Sequence, residues 1–132
     1  MKVIAINGEA WCHTLTGIER LAVEVVEQLD RLVSPGMMEP VVPANARELP
    51  KLTNIRVIRL KQEAHFFPRW TQVDFQWYVL TRRRMSLDFS NTCPFFAPGI
   101  EFIHDIYCAL YPRDFGSRRD RLVRLYSCIM YR

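Results

Sequence analysis

The 132-residue sequence has no long hydrophobic run and no secretion signal at its start. A helix that spans a bilayer needs about 20 consecutive apolar residues. The apolar run at the N-terminus ends at Asn7-Gly8, which is too early for the hydrophobic region of a signal peptide. These absences predict a cytoplasmic protein that does not span a membrane.

The sequence also lacks a C-x-x-C pair and any standard pattern of metal ligands. Its four cysteines are widely spaced: Cys12, Cys93, Cys108 and Cys128. In a cytoplasmic chain they are expected to be reduced and to act as small apolar side chains. The nearest approach to a zinc set fits no usual spacing: Cys12, His13, His104 and Cys108. We therefore expect no metal.

Three glycine-based motifs are missing as well. There is no G-x-G-x-x-G, no G-x-x-x-x-G-K-S and no G-x-S-x-G, which disfavours a dinucleotide site, a P-loop and a serine hydrolase. What remains is a helix start around Gly17 whose free N–H groups could hold an anion. Alternatively, Thr16 and Glu19 use those groups as a structural cap, and both interpretations stay open.

The charge has a basic excess, with 18 lysines and arginines against 14 aspartates and glutamates, a net charge of +4. It is concentrated at Arg82-Arg83-Arg84 and in the last predicted helix. Such clusters can meet phosphates or anionic lipid headgroups, or can simply be solvated helix faces. Acidic residues are interspersed and no exposed aromatics alternate with the arginines, so we expect no nucleic-acid partner.

The composition is that of a globular domain, with 49% hydrophobic and 24% charged residues. The first strand is predicted over 2–7, followed by a loop to residue 15. A capping box, Thr16-Gly17-Ile18-Glu19, then opens a helix that Ser34-Pro35-Gly36 ends. Its apolar side is predicted to contain Ile18, Leu21, Ala22, Val25, Val26, Leu29 and Leu32. Its polar side is predicted to contain Glu19, Glu24, Glu27, Asp30 and Arg31.

Further strands are predicted over 39–43, 55–60, 87–91 and 99–106. A second helix is predicted to be capped by Thr71 and Asp74 and to carry the apolar residues Val73, Trp77, Val79 and Leu80. A last helix is predicted from Ser117, with the apolar residues Leu122, Leu125, Tyr126 and Ile129. This alternation predicts an α/β fold, a Rossmann-like open and mostly parallel sheet with helices on both faces.

His104 and Asp105 follow the apolar run 99–103. Ligands of open α/β sheets bind beyond the carboxyl ends of the strands, so His104 is a candidate to donate to a substrate hydroxyl. Neighbouring strand residues point to opposite faces, so at most one of the pair can line a cleft. The alternative is a histidine satisfied by a hydrogen bond to backbone.

Three segments carry a resemblance to a known family. They are Thr16-Gly17-Ile18-Glu19-Arg20-Leu21, the stretch from Val41-Val42-Pro43 to Asn54-Ile55-Arg56-Val57, and Phe102-Ile103-His104-Asp105-Ile106 through Phe115. Together they resemble the N-terminal half of the two-domain (GT-B) glycosyltransferases of the family 4 group, over essentially the whole chain.

The resemblance implies that residues 1–132 form the acceptor-side domain of a retaining hexosyltransferase of cell-surface polysaccharide or lipid-linked saccharide assembly. It implies a nucleotide-sugar as co-substrate, bound by a C-terminal domain that this sequence does not contain, so the chain alone is expected to be inactive. His104 would lie beside the transferred sugar as the catalytic residue. Substrate contacts are implied at Gly8, Thr16, Gly17, Arg20 and Asp105. The double glycine common in the family's first loop is missing here.

Other interpretations stay open. The last predicted helix has no C-cap signal, which allows a non-catalytic module that forms a homodimer through it. The sheet also allows a small nucleotide-binding regulator. The basic clusters allow peripheral contact with the inner membrane surface.

Overall fold

The computed structural model describes residues 2–14, 16–47, 49–65, 68–104, 106, 110, 111, 121, 125, 126 and 129. Its strands are β1 (Ile4–Asn7), β2 (Met38–Val42), β3 (Ile58–Arg59), β4 (Met85–Asp88) and β5 (Ile100–Glu101). A 3₁₀ turn (Glu9–Cys12) follows β1, and helix α1 spans Gly17–Leu32. A second helix has π geometry over Trp70–Phe75 and α geometry over Gln76–Thr81, and we call the two parts together α2.

The five strands form one parallel sheet in the order β3-β2-β1-β4-β5. Ile4 pairs with Met38 of β2 on one side and with Met85 of β4 on the other. The chain therefore adds β2 and β3 outward in one direction and then returns past β1 to add β4 and β5. This reversal makes a crevice between the carboxyl ends of β1 and β4, the usual ligand position in such sheets.

Both faces of the sheet are covered, because strand side chains alternate between them. On one face Ile6, Val42 and Leu87 pack with Ala22 and Val26 of α1. On the other face the core cluster contains Ala5, Val41, Trp70, Phe75 and Val79, the last three from α2. The predicted Rossmann-like open sheet with helices on both faces is confirmed.

The start of α1 agrees with its predicted capping box. Thr16 is the N-cap, and its backbone N–H donates to Glu19 Oε2 at 3.3 Å, with the Thr16 hydroxyl bonded to the same oxygen. The predicted apolar side is too wide, since Leu21 is 40% and Leu32 81% exposed. Leu21 and Leu32 continue the apolar periodicity of the helix, but they lie on parts of the helix that the sheet does not cover.

Asp30 was predicted on the solvent side of α1, and that prediction is wrong. Asp30 is buried and accepts backbone N–H bonds from Thr53, Asn54 and Ile55 at 2.8, 2.8 and 2.7 Å. These bonds hold the pKa of its carboxyl below the usual range. They also hold 53–55 as a loop, so the third strand is only Ile58–Arg59 instead of 55–60.

Other predicted boundaries also move. The second strand begins at Met38, the fourth is Met85–Asp88 instead of 87–91, and the fifth is Ile100–Glu101 instead of 99–106. Thr71 is not a helix cap, because α2 begins before it and Thr71 is fully buried. The predicted loop 8–15 contains the 3₁₀ turn. Asp105 and most of the last predicted helix lie outside the described residues.

Only Val79 of the four apolar residues predicted for the second helix is in the core. The other three are exposed to solvent: Val73, Trp77 and Leu80. Trp70 and Phe75 fill the core in their place.

Gly8 allows β1 to lie close to β2. Its N–H donates to the carbonyl of Val41 at 2.9 Å, and a Cβ added at Gly8 would lie 2.5 Å from both the Val41 oxygen and Val42 Cγ1. We expect Gly8→Ala to lower the free energy of unfolding by about 1–3 kcal/mol, the usual cost of overpacking. Urea denaturation measures this change.

Gly17 provides the matched control. It opens α1, and a Cβ there would meet nothing within 4 Å. Gly17→Ala should leave stability unchanged or raise it by about 0.4–1 kcal/mol. Equal losses for the two variants would show that close approach is not the reason for glycine at position 8.

Candidate functional site

A cleft of about 330 Å³ lies at the carboxyl ends of β1 and β4. Asn7 ends β1 and Asp88 ends β4, so the fold brings these two polar residues to the same edge of the sheet. The remaining walls come from the 3₁₀ turn, the first turns of α1 and the segments 64–65 and 89–90. Its other polar side chains are Glu9, His13, Glu19, His65 and Ser90. This is the position at which doubly wound sheets bind ligands.

Asn7 is the centre of a buried hydrogen-bond network. Its amide nitrogen donates to Thr71 Oγ1 at 2.9 Å and to Asp88 Oδ2 at 2.5 Å. Its amide oxygen accepts from Trp70 Nε1 at 2.8 Å and from the N–H of Glu9 at 3.1 Å. Both amide protons and the oxygen are therefore used, so the amide joins β1, β4, α2 and the 3₁₀ turn in one fixed arrangement.

Glu9 is the carboxylate most open to the cleft within this network. Its side chain is only 14% exposed, and its Oε2 accepts from the hydroxyl of Thr71 at 3.2 Å. Burial raises the pKa of Glu9 to about 7, and the nearby charge of Asp88 adds to the effect. His13 Nε2 lies 4.0 Å from Glu9 Oε1. Near neutral pH the carboxyl of Glu9 can therefore either accept or donate a hydrogen bond.

Asp88 forms the floor of the cleft. It is 1% exposed, and its Oδ1 accepts from the N–H of Ser90 at 2.8 Å and from the Ser90 hydroxyl at 2.5 Å. Ser90 Oγ is in turn 3.0 Å from Thr92 Oγ1. Burial is the main cause that raises the pKa of Asp88, and it also raises the pKa of Glu101 on the neighbouring strand.

The first-loop residues predicted to contact substrate lie around the cleft without lining it. Gly8 is buried against β2. Thr16, Gly17 and Arg20 are exposed at the start of α1, whereas their neighbours Ile18 and Glu19 line the cleft. Thr16 and Glu19 bond each other, as the structural-cap interpretation requires. Asp105 is outside the described residues.

His104 is half-buried beside the cleft and is bonded to backbone. Its Nε2 lies 2.5 Å from the carbonyl oxygen of Phe89, and its own N–H donates to Asn91 Oδ1 at 2.6 Å. Because a carbonyl only accepts, Nε2 carries the proton in this contact. The arrangement matches the alternative of a histidine satisfied by backbone, and a catalytic role for His104 stays a prediction.

Most residues of the network are not among those that the sequence predicts as site residues. Asn7 and Asp88 had a usable signal, because each is a polar residue at the end of an apolar strand. Glu9 and Thr71 had none, since 62 positions separate them and only the return of α2 to the carboxyl edge brings them together. Ser90 was predicted within a strand, but it follows β4 and bonds Asp88.

Among the residues that the structure describes, no group of three or more histidine, cysteine, aspartate or glutamate side chains is placed to hold a metal ion. Cys12 and Cys93 form no disulfide, and burial raises the pKa of each thiol to about 11, so neither is a ready nucleophile.

Among the described residues, no helix has the length and the apolar character that a membrane span requires.

Comparisons of the chain with protein-family models, with curated proteins and with solved structures find no match.

Proposed function

We propose that this chain is the acceptor-binding domain of a retaining two-domain hexosyltransferase, and that the cleft between β1 and β4 holds hydroxyl groups of the acceptor saccharide. The observation that carries the proposal is the carboxyl of Glu9, which opens on the cleft at the reversal point of the sheet and which the buried network of Asn7, Thr71 and Asp88 holds in place. Transfer itself would require a second domain that binds the nucleotide-sugar, as the family resemblance implies.

The chemistry of the cleft suits a hydroxyl ligand. A saccharide hydroxyl both donates and accepts, and Glu9 can do either because burial raises its pKa to about 7. The apolar side chain of Ile18 forms part of the wall and can pack against the C–H face of a pyranose ring. A few placed polar groups in a partly apolar cavity are typical of small-ligand sites.

The carboxyl groups that line the cleft disfavour the binding of a phosphate there. Glu9, Glu19 and Asp88 all line it, and a diphosphate placed there would face acidic groups at close range. We therefore expect the donor diphosphate to bind to the second domain that the family resemblance implies. An acceptor carried on a lipid diphosphate would bring the domain to the cytoplasmic surface of the inner membrane as a peripheral protein.

Calorimetric titration tests the saccharide site directly. The probes are mannose, glucose, galactose and their disaccharides, with UDP-glucose and GDP-mannose as the nucleotide comparison. We expect at least one saccharide to bind and Glu9→Ala to weaken its binding by about tenfold, since losing one hydrogen bond costs about 1.4 kcal/mol, which is tenfold in affinity.

Glu24→Ala, an exposed carboxylate on α1, is the matched control and should leave the affinity unchanged. Equal affinities for wild type and Glu9→Ala would contradict the proposed site. Tight binding of a nucleotide-sugar in place of a saccharide would favour the nucleotide-binding interpretation.

A further inference from the structure

The cleft between β1 and β4 has an acidic lining in a chain that is basic as a whole. Glu9, Glu19 and Asp88 line the cleft, and none of its lining residues among those that the structure describes is a lysine or an arginine. The net charge of the chain is +4, so the acidic lining is a local feature. Charge complementarity therefore favours a ligand that carries a positive charge.

Glu9 has one carboxyl oxygen that opens on the cleft without a hydrogen bond. Its Oε2 accepts from the hydroxyl of Thr71 at 3.2 Å. Its Oε1 faces His13 Nε2 at 4.0 Å, which is too long for a hydrogen bond. By contrast, both oxygens of Asp88 already accept hydrogen bonds. A ligand donor can thus bind to Glu9 Oε1 and leave the surrounding network intact.

The groups packed around Glu9 disfavour its negative charge. Burial raises the pKa of Glu9 to about 7, the charge of Asp88 on β4 raises it further, and the Thr71 hydroxyl on α2 lowers it. A positive charge placed next to Oε1 would stabilise the carboxylate of Glu9 and also reduce its repulsion by Asp88. The pKa of Glu9 should then fall and the carboxyl should release its proton.

We propose that the acceptor in this cleft is an amino sugar, a hexose in which an ammonium group replaces one hydroxyl, and that this ammonium donates to Glu9 Oε1. The inference rests on the proposed function, because it names the class of saccharide that the cleft holds. An ammonium has three donors and no acceptor, which suits a carboxyl oxygen. A hydrogen bond between two charged groups is stronger than one between neutral groups.

His13 is the competing cation within the protein. When protonated, its ring can pair with the same oxygen of Glu9. Its side chain is 52% exposed and its Nε2 is 4.0 Å from Oε1, so it lies at the rim of the cleft and does not occupy the hydrogen-bonding position. An ammonium on the ligand can reach that position directly.

A divalent metal ion is a poorer occupant than an ammonium. Metal ions of this kind bind several oxygen atoms at once. In this cleft Glu9 Oε2 accepts from Thr71, and the two oxygens of Asp88 accept from Asn7 and Ser90. A metal ion would have to displace several of these bonds, whereas an ammonium requires only Oε1.

Calorimetric titration at pH 7 tests the proposal. The probes are glucosamine and 6-amino-6-deoxyglucose, compared with glucose and N-acetylglucosamine. We expect at least one of the two amino sugars to bind about tenfold more tightly than glucose, since its ammonium forms a hydrogen bond between charged groups. N-acetylglucosamine has no ammonium and should not share this gain. Added salt should reduce the difference.

Glu9→Gln is the decisive variant, because glutamine keeps an oxygen that accepts hydrogen bonds but carries no charge. In this variant the amino sugar should lose its advantage, while the affinity for glucose should change by less than about threefold. Glu24→Gln, at an exposed position of α1, is the matched control and should keep the preference for the amino sugar.

Proton release gives a second measurement of the same contact. At pH 6 most of the Glu9 carboxyl is protonated in the unliganded protein, because its pKa is about 7. Titrations in buffers of different ionisation enthalpy should show that the amino sugar releases most of one proton from the wild type and none from Glu9→Gln.

The outcomes separate this inference from the proposed function. If glucose or N-acetylglucosamine binds as tightly as the amino sugars, or if Glu9→Gln keeps the preference, the inference is overturned and the saccharide site remains. If none of these sugars binds, the proposed function and the inference are both contradicted.

Discussion

Asn7→Leu is expected to lower the free energy of unfolding by about 3–5 kcal/mol, because a leucine leaves several buried polar groups without their partner. The indole N–H of Trp70, the N–H of Glu9 and the carboxyl of Asp88 each lose a bond that Asn7 now makes. Small domains are stable by about 5–15 kcal/mol in total, so the variant should be close to unfolding. Urea denaturation followed by circular dichroism measures the loss.

Gln28→Leu makes a similar exchange of amide for aliphatic side chain on the exposed side of α1. It should change stability by less than about 0.5 kcal/mol. A loss below about 1 kcal/mol for Asn7→Leu would mean that the network around Asn7 does not hold the two strand ends together.

Glu9→Gln is expected to stabilise the protein above neutral pH and to have little effect at acidic pH. Burial raises the pKa of Glu9 from 4.5 to about 7, so the folded state holds a proton that the unfolded state has lost between these values. Stability from this group is therefore complete below about pH 4.5 and falls as pH rises to about 7. Burial raises the pKa of Asp88 as well, which acts in the same direction.

Glutamine keeps an oxygen that can accept from Thr71 but carries no charge to desolvate. The gain over wild type at pH 8 should reach up to about 3 kcal/mol, the equivalent of the pKa shift. Thermal denaturation at pH 4.5, 6 and 8 measures it, with Glu24→Gln as the exposed control. A gain that does not depend on pH would mean that Glu9 is not desolvated in the folded state.

Much of the architecture follows from local patterns. The apolar run before Asn7, the capping pair Thr16 and Glu19, and the stop at 34–36 predict the first strand–helix unit, and the structure confirms it. The strand–helix alternation also predicts the parallel sheet and its two covered faces. These features can be predicted from patterns formed by residues that are adjacent in the sequence or lie within one helical turn of each other.

The predictions from the sequence are wrong where contacts with residues distant in the chain determine burial or strand length. The helical periodicity predicts that Asp30 lies on the surface. Asp30 is instead buried, because its carboxylate accepts hydrogen bonds from three backbone N–H groups of a loop more than 20 residues away in the sequence. Trp77 has the apolar character of a core residue, yet α2 turns it to solvent. Strand ends depend on pairing partners, so β3 and β5 are each only two residues long.

The residues of the candidate site likewise fall into those that local sequence patterns could predict and those that they could not. Asn7 and Asp88 could be predicted as site residues, because each ends a strand and the carboxyl ends of parallel strands lie at the same edge of the sheet. Glu9 and Thr71 join them only through the crossing of α2, which no local pattern encodes. His104 was the residue that the sequence favoured, and the structure places its ring on the Phe89 carbonyl.

The most direct test of the β1–β4 cleft as the ligand site is a ¹³C NMR titration of the Glu9 carboxyl, alone and with a saturating saccharide from the calorimetric panel. We predict a midpoint of about 7 for the free protein and a displaced midpoint when the saccharide is bound. A midpoint near the ordinary value of 4.5 that the saccharide leaves unchanged would contradict the account.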